Sequence, residues 1–360
     1  MTHCQFAYNS FFYNKGNISQ CCLQTPLFDN KKLDWNDVSD LNQFYQLSNF
    51  SQIRTELEQG KNPSACDTCW VAERSGVKSM RQMNTYFNDD VYDLTPKITH
   101  VDLRLSNKCN LACRMCNAYD SSQIAKIEGI DIPVGETQRL MDLVLDLPDL
   151  HSIRFAGGEP FVMPEVIDFL DKLVSLGRID IEIEIITNCT SVKPSLVKTL
   201  NQFRKVLIMA SIDSVGTWFE FQRAPARWNT VHYNFDRIYN SNITIQLVPC
   251  IGNINLLGIP DFFKWANQYP LVHVAFNEII EPDYLNFRYV PLEDRERLWS
   301  DFQDMPLLNA TPDWLVFKEK LMYEYIEPSE LVKNKIKDRN QLVWHANEEQ
   351  MKEVFPWIYT

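Results

Sequence analysis

The sequence predicts an α/β fold: a partial (β/α)6 TIM-like barrel with an irregular, cysteine-rich amino-terminal module and a helical carboxyl tail. Three observations carry this. Short β-branched runs alternate with helical stretches from about residue 98 onward, six such repeats are present, and the texture before and after that region is different. Strands alternating with helices at this spacing read as βαβ units on a parallel sheet. Six repeats are too few for the closed eight-fold barrel, so the sheet is expected to stay open.

The expected strands are THVDLRLS (99–106), SIRFAGG (152–158), IDIEIEIITN (179–188), KVLIMASID (205–213), ITIQLVPC (243–250) and LVHVAFNEI (271–279). Between them TQRLMDLVLDL (137–147), EVIDFLDKLVSLG (165–177) and SLVKTLNQF (195–203) have the spacing of amphipathic helices. Residues 1–95 are rich in Asn, Gln, Ser and aromatics and show one clear helix near 51–60. A segment so poor in core pattern calls for a staple such as a metal. The tail, 291–360, reads as helical, with DRERLWSDFQDM (294–305) and DWLVFKEKLMYEYI (313–326) as its helices. The domain boundaries are therefore placed at 1–95, 96–290 and 291–360.

Of the 360 residues, 45% are hydrophobic and 23% charged, as in ordinary globular proteins. No apolar run is long enough to span a membrane, and MTHCQFAYNSFF lacks the basic and apolar regions of a secretory signal. A cytoplasmic address with no membrane partner is expected. The net charge of −12 argues against non-specific nucleic-acid binding, which needs a basic footprint.

Ten cysteines are many for such a chain, and they are clustered. In a reducing compartment this points to metal or redox ligands before disulfides. Cys109-x3-Cys113-x2-Cys116 follows the first expected strand directly. Three thiolates on one loop can hold three irons of a cubane cluster and leave the fourth iron open. A zinc site is the competing reading and would want a fourth Cys or His nearby; the next histidine is His151. Buried structural cysteines are a further alternative.

The triad resembles the signature of the radical S-adenosylmethionine (SAM) superfamily, and the elements after it match that family in order over about 98–280. The resemblance implies a [4Fe–4S] cluster on Cys109, Cys113 and Cys116, whose open iron chelates SAM. Gly157-Gly158-Glu159-Pro160 is similar to the family's GGEP element, which receives the SAM amino group. Thr187-Asn188 closes the third strand as a TN pair does in relatives. Ser211-Ile212-Asp213 closes the fourth, near the SAM sugar and carboxylate. Arg223 stands where relatives pair an arginine with the SAM carboxylate, and Arg227 competes for that role. Met115 departs from the aromatic that many members carry.

The upstream cysteines resemble a Twitch/SPASM-type auxiliary module, which the family usually places after the barrel. That likeness implies a second [4Fe–4S] cluster on Cys4, Cys21, Cys66 and Cys69, with Cys22 a rival for Cys21. A Cys4 zinc knuckle remains the alternative. Cys189 and Cys250 receive no role.

The resemblance implies reductive cleavage of SAM and hydrogen abstraction from a substrate. A peptide or protein is favoured, a small metabolite comes second, and flavodoxin or ferredoxin is the kind of electron donor expected. Glu278, Glu281 and Asp283 are the carboxylates best placed to meet the substrate, each competing with the reading of a solvated loop charge. A zinc-stapled binding protein and a two-cluster electron carrier are the readings from other classes.

Overall fold

The computed structural model describes residues 4–24, 28–29, 35–76, 78–83, 94–133, 137–302, 319–323, 325–344 and 346–359. The chain divides into two compact units: 1–107 with 133–185 and 198–206, and 108–132 with 186–197 and 207–360. Of the expected tail helix at 313–326, residues 313–318 and 324 lie outside the described residues.

In the first unit, β4 (His100–Arg104), β5 (Ser152–Phe155) and β6 (Glu182–Thr187) pair in parallel, with Asp102 opposite Arg154 and Arg154 opposite Glu184. Side chains alternate across a strand, so one face carries Val101, Leu103, Ile153, Phe155, Ile183 and Ile185, all buried. Apolar stripes of the two helices that follow in the chain are buried as well. They lie on α6 (Gln138–Leu145) and α7 (Pro164–Ser175), and the Phe155 and Phe169 rings meet edge to face at 5.8 Å. The opposite face carries the polar row Asp102, Arg154 and Glu184, where Arg154 donates to Glu184 at 2.8 and 2.6 Å.

The amino-terminal segment adds to this sheet. β1 (Ser10–Asn14) runs parallel to β4, and β2 (Asn17–Ser19) and β3 (Phe28–Asp29) continue antiparallel. Its strand SFFYN is apolar at consecutive positions and buried on both faces, so it lacks the alternation that marks a half-exposed strand. Helices α1 (Phe6–Asn9), α2 (Ser48–Glu58), α3 (Asp67–Arg74) and α4 (Met80–Met83) complete the segment.

In the second unit, β7 (Val206–Ala210), β8 (Thr244–Leu247) and β10 (His273–Val274) pair in parallel. The fifth and sixth expected strands are each interrupted. Pro249, which has no N–H to give, separates β8 from β9 (Cys250–Ile251), and β9 pairs instead with β11 (Asn277–Glu278). The helices are α5 (Ser122–Glu128), α8 (Pro194–Leu200), α9 (Gly216–Gln222), α10 (Trp228–Tyr239), α11 (Ile259–Ala266), α12 (Leu292–Phe302), α13 (Glu330–Trp344) and α14 (Glu348–Val354). β4, β5, β6, β7, β8 and β10, each followed by helix, are the six repeats of the partial TIM-like barrel. Among the described residues no helix is long and apolar enough to cross a membrane.

Candidate metal centre

The cysteine triad lies on the loop after β4, where sites of parallel β/α folds form. Backbone and side-chain bonds fix its course. Ala112 N donates to Ala224 O at 2.7 Å and Arg114 N to Gln222 O at 2.9 Å. Ser121, the N-cap of α5, donates to Leu111 O at 2.7 Å, and Cys109 N donates to Ser122 Oγ at 3.1 Å. Cys113 is buried, and Cys109 and Cys116 are half-buried. Burial pushes the Cys116 thiol up to about 12, and the neighbouring Cys113 and Cys109 add to it.

Among the described residues no three His, Cys, Asp or Glu side chains are gathered tightly enough to hold a metal ion as they stand. The fit is therefore one of donor chemistry: three thiols within eight positions, electrostatically in touch with one another, suit iron better than an oxygen-seeking ion.

Asp213 and Arg223 meet in the same unit. Asp213 is fully buried and accepts from Arg223 Nε at 2.5 Å and Nη2 at 3.0 Å, while Arg223 Nη1 lies 3.9 Å from Cys113 Sγ. Burial works against the Arg223 charge, but Asp213 outweighs it and holds the guanidinium protonated. Arg227 is a surface residue paired with Glu220 at 3.0 Å, its side chain 78% exposed. Ser211 is half-buried, its N–H donating to Thr187 O at 2.8 Å. Asn188 serves the triad loop: its Nδ2 donates to Asn110 Oδ1 at 3.1 Å, and its Oδ1 accepts from Thr190 N and Oγ1 at 2.9 and 2.6 Å.

The three carboxylates separate. Glu278 is paired with Lys320 at 2.9 Å, and Asp283 accepts from Tyr284 N at 2.9 Å on an exposed turn. Glu281 lines a cavity of about 480 Å³ together with Met115, Cys116, Asn117, Tyr284, Lys335 and Arg339. That volume is in the range of small-molecule sites.

The GGEP element belongs to the first unit. Gly157 has φ +100°, and a Cβ there would stand 3.1 Å from Ser106 O and 3.3 Å from Arg104 Cβ, so the close approach of backbone to β4 requires glycine. Gly158 N donates to Ser106 O at 3.1 Å. Glu159 is buried and accepts from Phe161 N at 3.0 Å, capping the turn.

Also in the first unit, Cys4 and Cys66 pack against one apolar cluster with Tyr8, Ile53, Leu57 and Trp70. Burial pushes Cys4 up to about 12, with Cys66 and Cys69 adding to it. Cys21 is raised by burial and then by Cys4, Cys22 and Cys66. Cys22 has other neighbours. After burial, its strongest electrostatic influences are Asp102, Arg104 and Arg154, and its sulfur lies 3.9 Å from that of Met80. Glu73 accepts from Ser79 at 2.5 Å and from Arg81 Nε at 2.9 Å, and Arg81 stacks over Trp70 at 4.5 Å. These contacts clamp the chain after the Cys66-x2-Cys69 helix.

The sequence does not single out Arg114, Asn110 or Thr190, and it gives Cys250 no role. Cys250 N donates to Asp213 Oδ1 at 2.8 Å, and burial pushes its thiol up to about 12. No spacing rule marks these positions, because their partners come from distant parts of the chain.

Residues 103–257 match the family model described as the radical SAM superfamily. The GTP 3′,8-cyclase of Syntrophomonas wolfei is 28% identical over 205 residues, covering 55% of this chain and 61% of that protein. Molybdenum cofactor biosynthesis protein 1 of Dictyostelium discoideum is 24% identical, covering 59% of this chain and 32% of that one. The S-adenosylmethionine-dependent nucleotide dehydratase of Flammeovirga pacifica is 25% identical, covering 64% and 71%. The chain spans between about a third and under two thirds of the first two of these relatives. Among solved structures, native anSMEcpe with bound AdoMet has a TM-score of 0.45 at 18% identity, covering 59% of this chain and 63% of that chain. Streptococcus suis SuiB bound to precursor peptide SuiA has a TM-score of 0.44 at 16% identity, covering 79% and 67%. The three-cysteine loop lies inside the matched residues, so residues 103–257 are similar to the radical SAM superfamily, whose cofactors are a [4Fe–4S] cluster and SAM.

Proposed function

We propose that this chain cleaves SAM reductively and takes hydrogen from a bound substrate. The observation that carries the reading is the Cys109–Cys116 loop, fixed by hydrogen bonds to residues 222–224 within the superfamily match. A cluster held by Cys109, Cys113 and Cys116 would supply one electron to bound SAM and so release the 5′-deoxyadenosyl radical. The chain's own residues do the rest. Asn188 and Asn110 steady the loop, and Gly157–Glu159 offer a close backbone and a carboxylate for the SAM ammonium. Arg223 is held by Asp213 with one nitrogen directed at Cys113, so it serves the cluster environment and, through that position, the SAM carboxylate. Glu281 meets the substrate at the cavity beside Cys116.

Residues 1–95 are proposed as an auxiliary-cluster module, with Cys4, Cys21, Cys66 and Cys69 as ligands; the separate surroundings of Cys22 favour Cys21. The barrel is assigned to 96–290 and the tail to 291–360. A peptide or protein substrate follows from the likeness of the cysteine module. A nucleotide is the second reading, favoured by the printed activities of the GTP 3′,8-cyclase and nucleotide dehydratase relatives.

The test is anaerobic reconstitution, iron counting, and incubation with SAM and dithionite. 5′-Deoxyadenosine is the expected product. Iron without that product overturns the reading, and bound zinc without iron overturns both clusters.

A further inference from the structure

Arg114 sits between two cysteines of the triad, yet it points its charge into the protein. Only 5% of it is exposed. Its Nη1 donates to Phe221 O, its Nε donates to Asn340 Oδ1 at 2.5 Å, and its guanidinium lies 3.6 Å from the centroid of the Phe221 ring. The Asn340 amide is itself oriented, since Nδ2 donates to Ile336 O at 2.8 Å and leaves Oδ1 for the arginine. Asn340 is buried on α13, 226 positions along the chain from Arg114. A second tie lies one residue away: Arg339 pairs with Glu128, at the end of the helix that follows the triad loop. The tail helix is thus tied to the cysteine loop itself and to the far end of the helix that follows it.

The geometry points to Arg114 as a positioning residue for the cluster: it braces the loop between Cys113 and Cys116 against α9 and α13, and its buried charge favours the reduced cluster. The inference rests on the function proposed above. Reduction adds one negative charge to the cluster, and a guanidinium in a low-dielectric setting stabilises that charge more than water would. Removing it should make the cluster harder to reduce. The fork geometry matters separately, because one planar group reaches the Phe221 carbonyl and the Asn340 amide together, which a lysine cannot do.

The test uses the full chain, reconstituted anaerobically, and follows the EPR signal that changes on adding SAM, which sets this cluster apart from an auxiliary one. In Arg114→Met, which keeps the stem and loses the charge, the midpoint potential is expected to fall. The reduced fraction at fixed potential should drop about tenfold, equivalent to about 59 mV for one electron. Arg114→Lys is expected to keep a potential near wild type. Limited trypsin digestion is the second readout: Asn340→Ala and Arg114→Lys should release α13, with cleavage at Lys333, Lys335 or Lys337 several-fold faster than in wild type. If Arg114→Met fails to hold iron, the lysine variant decides; iron retained at the wild-type potential supports the inference, and iron lost with unchanged digestion overturns it. A wild-type potential in Arg114→Met also overturns it. A wild-type chain that gives no SAM-responsive signal instead sinks the proposed function itself.

Discussion

Arg223 grips Asp213 with two nitrogens, at 2.5 and 3.0 Å, in a pair withdrawn from solvent beside Cys113. A buried ion pair is weak evidence for stability, but removing one partner strands the other charge. Arg223→Met is therefore expected to cost about 3–5 kcal/mol, and Asp213→Leu with Arg223→Met less than either change alone would suggest. Denaturant unfolding of the iron-free chain reads this without interference from cluster loss. Additive effects would show that the two residues are not coupled.

Much of this arrangement was legible in the sequence, and the missing part has a common cause. The alternating IEIEII of β6 and the Cys109-x3-Cys113-x2-Cys116 spacing are local patterns, each read from a few consecutive residues. β1 was not legible, because SFFYN is buried on both faces. Arg223, Asp213 and Asn188 were found as residues, while the pairing of Arg223 with Asp213 and of Asn188 with Asn110 emerged only from the fold. Arg114 carries no local signal at all, since what defines it is an asparagine in the tail.

The surroundings of Cys21 and Cys22 separate two adjacent thiols. After burial, Cys21 is influenced by Cys4, Cys22 and Cys66, whereas Cys22 is influenced by Asp102, Arg104 and Arg154. Cys21→Ser should lose about four irons per reconstituted chain, one [4Fe–4S] cluster, and Cys22→Ser should keep them. Iron analysis with absorbance near the thiolate–iron charge-transfer bands checks this. Equal losses in the two variants would refute the ligand choice.

Gly157 and Gly177 both have positive φ, +100° and +71°, but they differ in surroundings. A Cβ at Gly157 meets Ser106 O at 3.1 Å, while nothing lies within 4 Å of one at Gly177. Gly177→Ala should cost about 1 kcal/mol, the conformational strain alone. Gly157→Ala adds a backbone contact and should cost about 2–3 kcal/mol, weakening SAM binding as well. Thermal unfolding and calorimetric titration with SAM measure the two effects. SAM affinity unchanged in Gly157→Ala would remove that turn from the cofactor site.

His100 makes stability depend on pH in a defined direction. Its Nδ1 lies 2.5 Å from Ser152 Oγ, and burial, assisted by His151, lowers its pKa from 6.5 to about 3. On acidification the unfolded chain takes up a proton near pH 6.5, and the folded chain does not until about pH 3. The contribution of the neutral imidazole is thus complete above 6.5 and is lost progressively as pH falls towards 3. Each pH unit in that window is worth about 1.4 kcal/mol, so wild type should lose about 2 kcal/mol between pH 7 and 5 relative to His100→Asn. The comparison cancels the other titrating groups, including Asp102, whose carboxyl burial raises to about 7 with the opposite sign. Urea unfolding of both chains across this range gives the difference directly. A constant gap between them would mean that His100 takes up its proton in the folded state as readily as in the unfolded one.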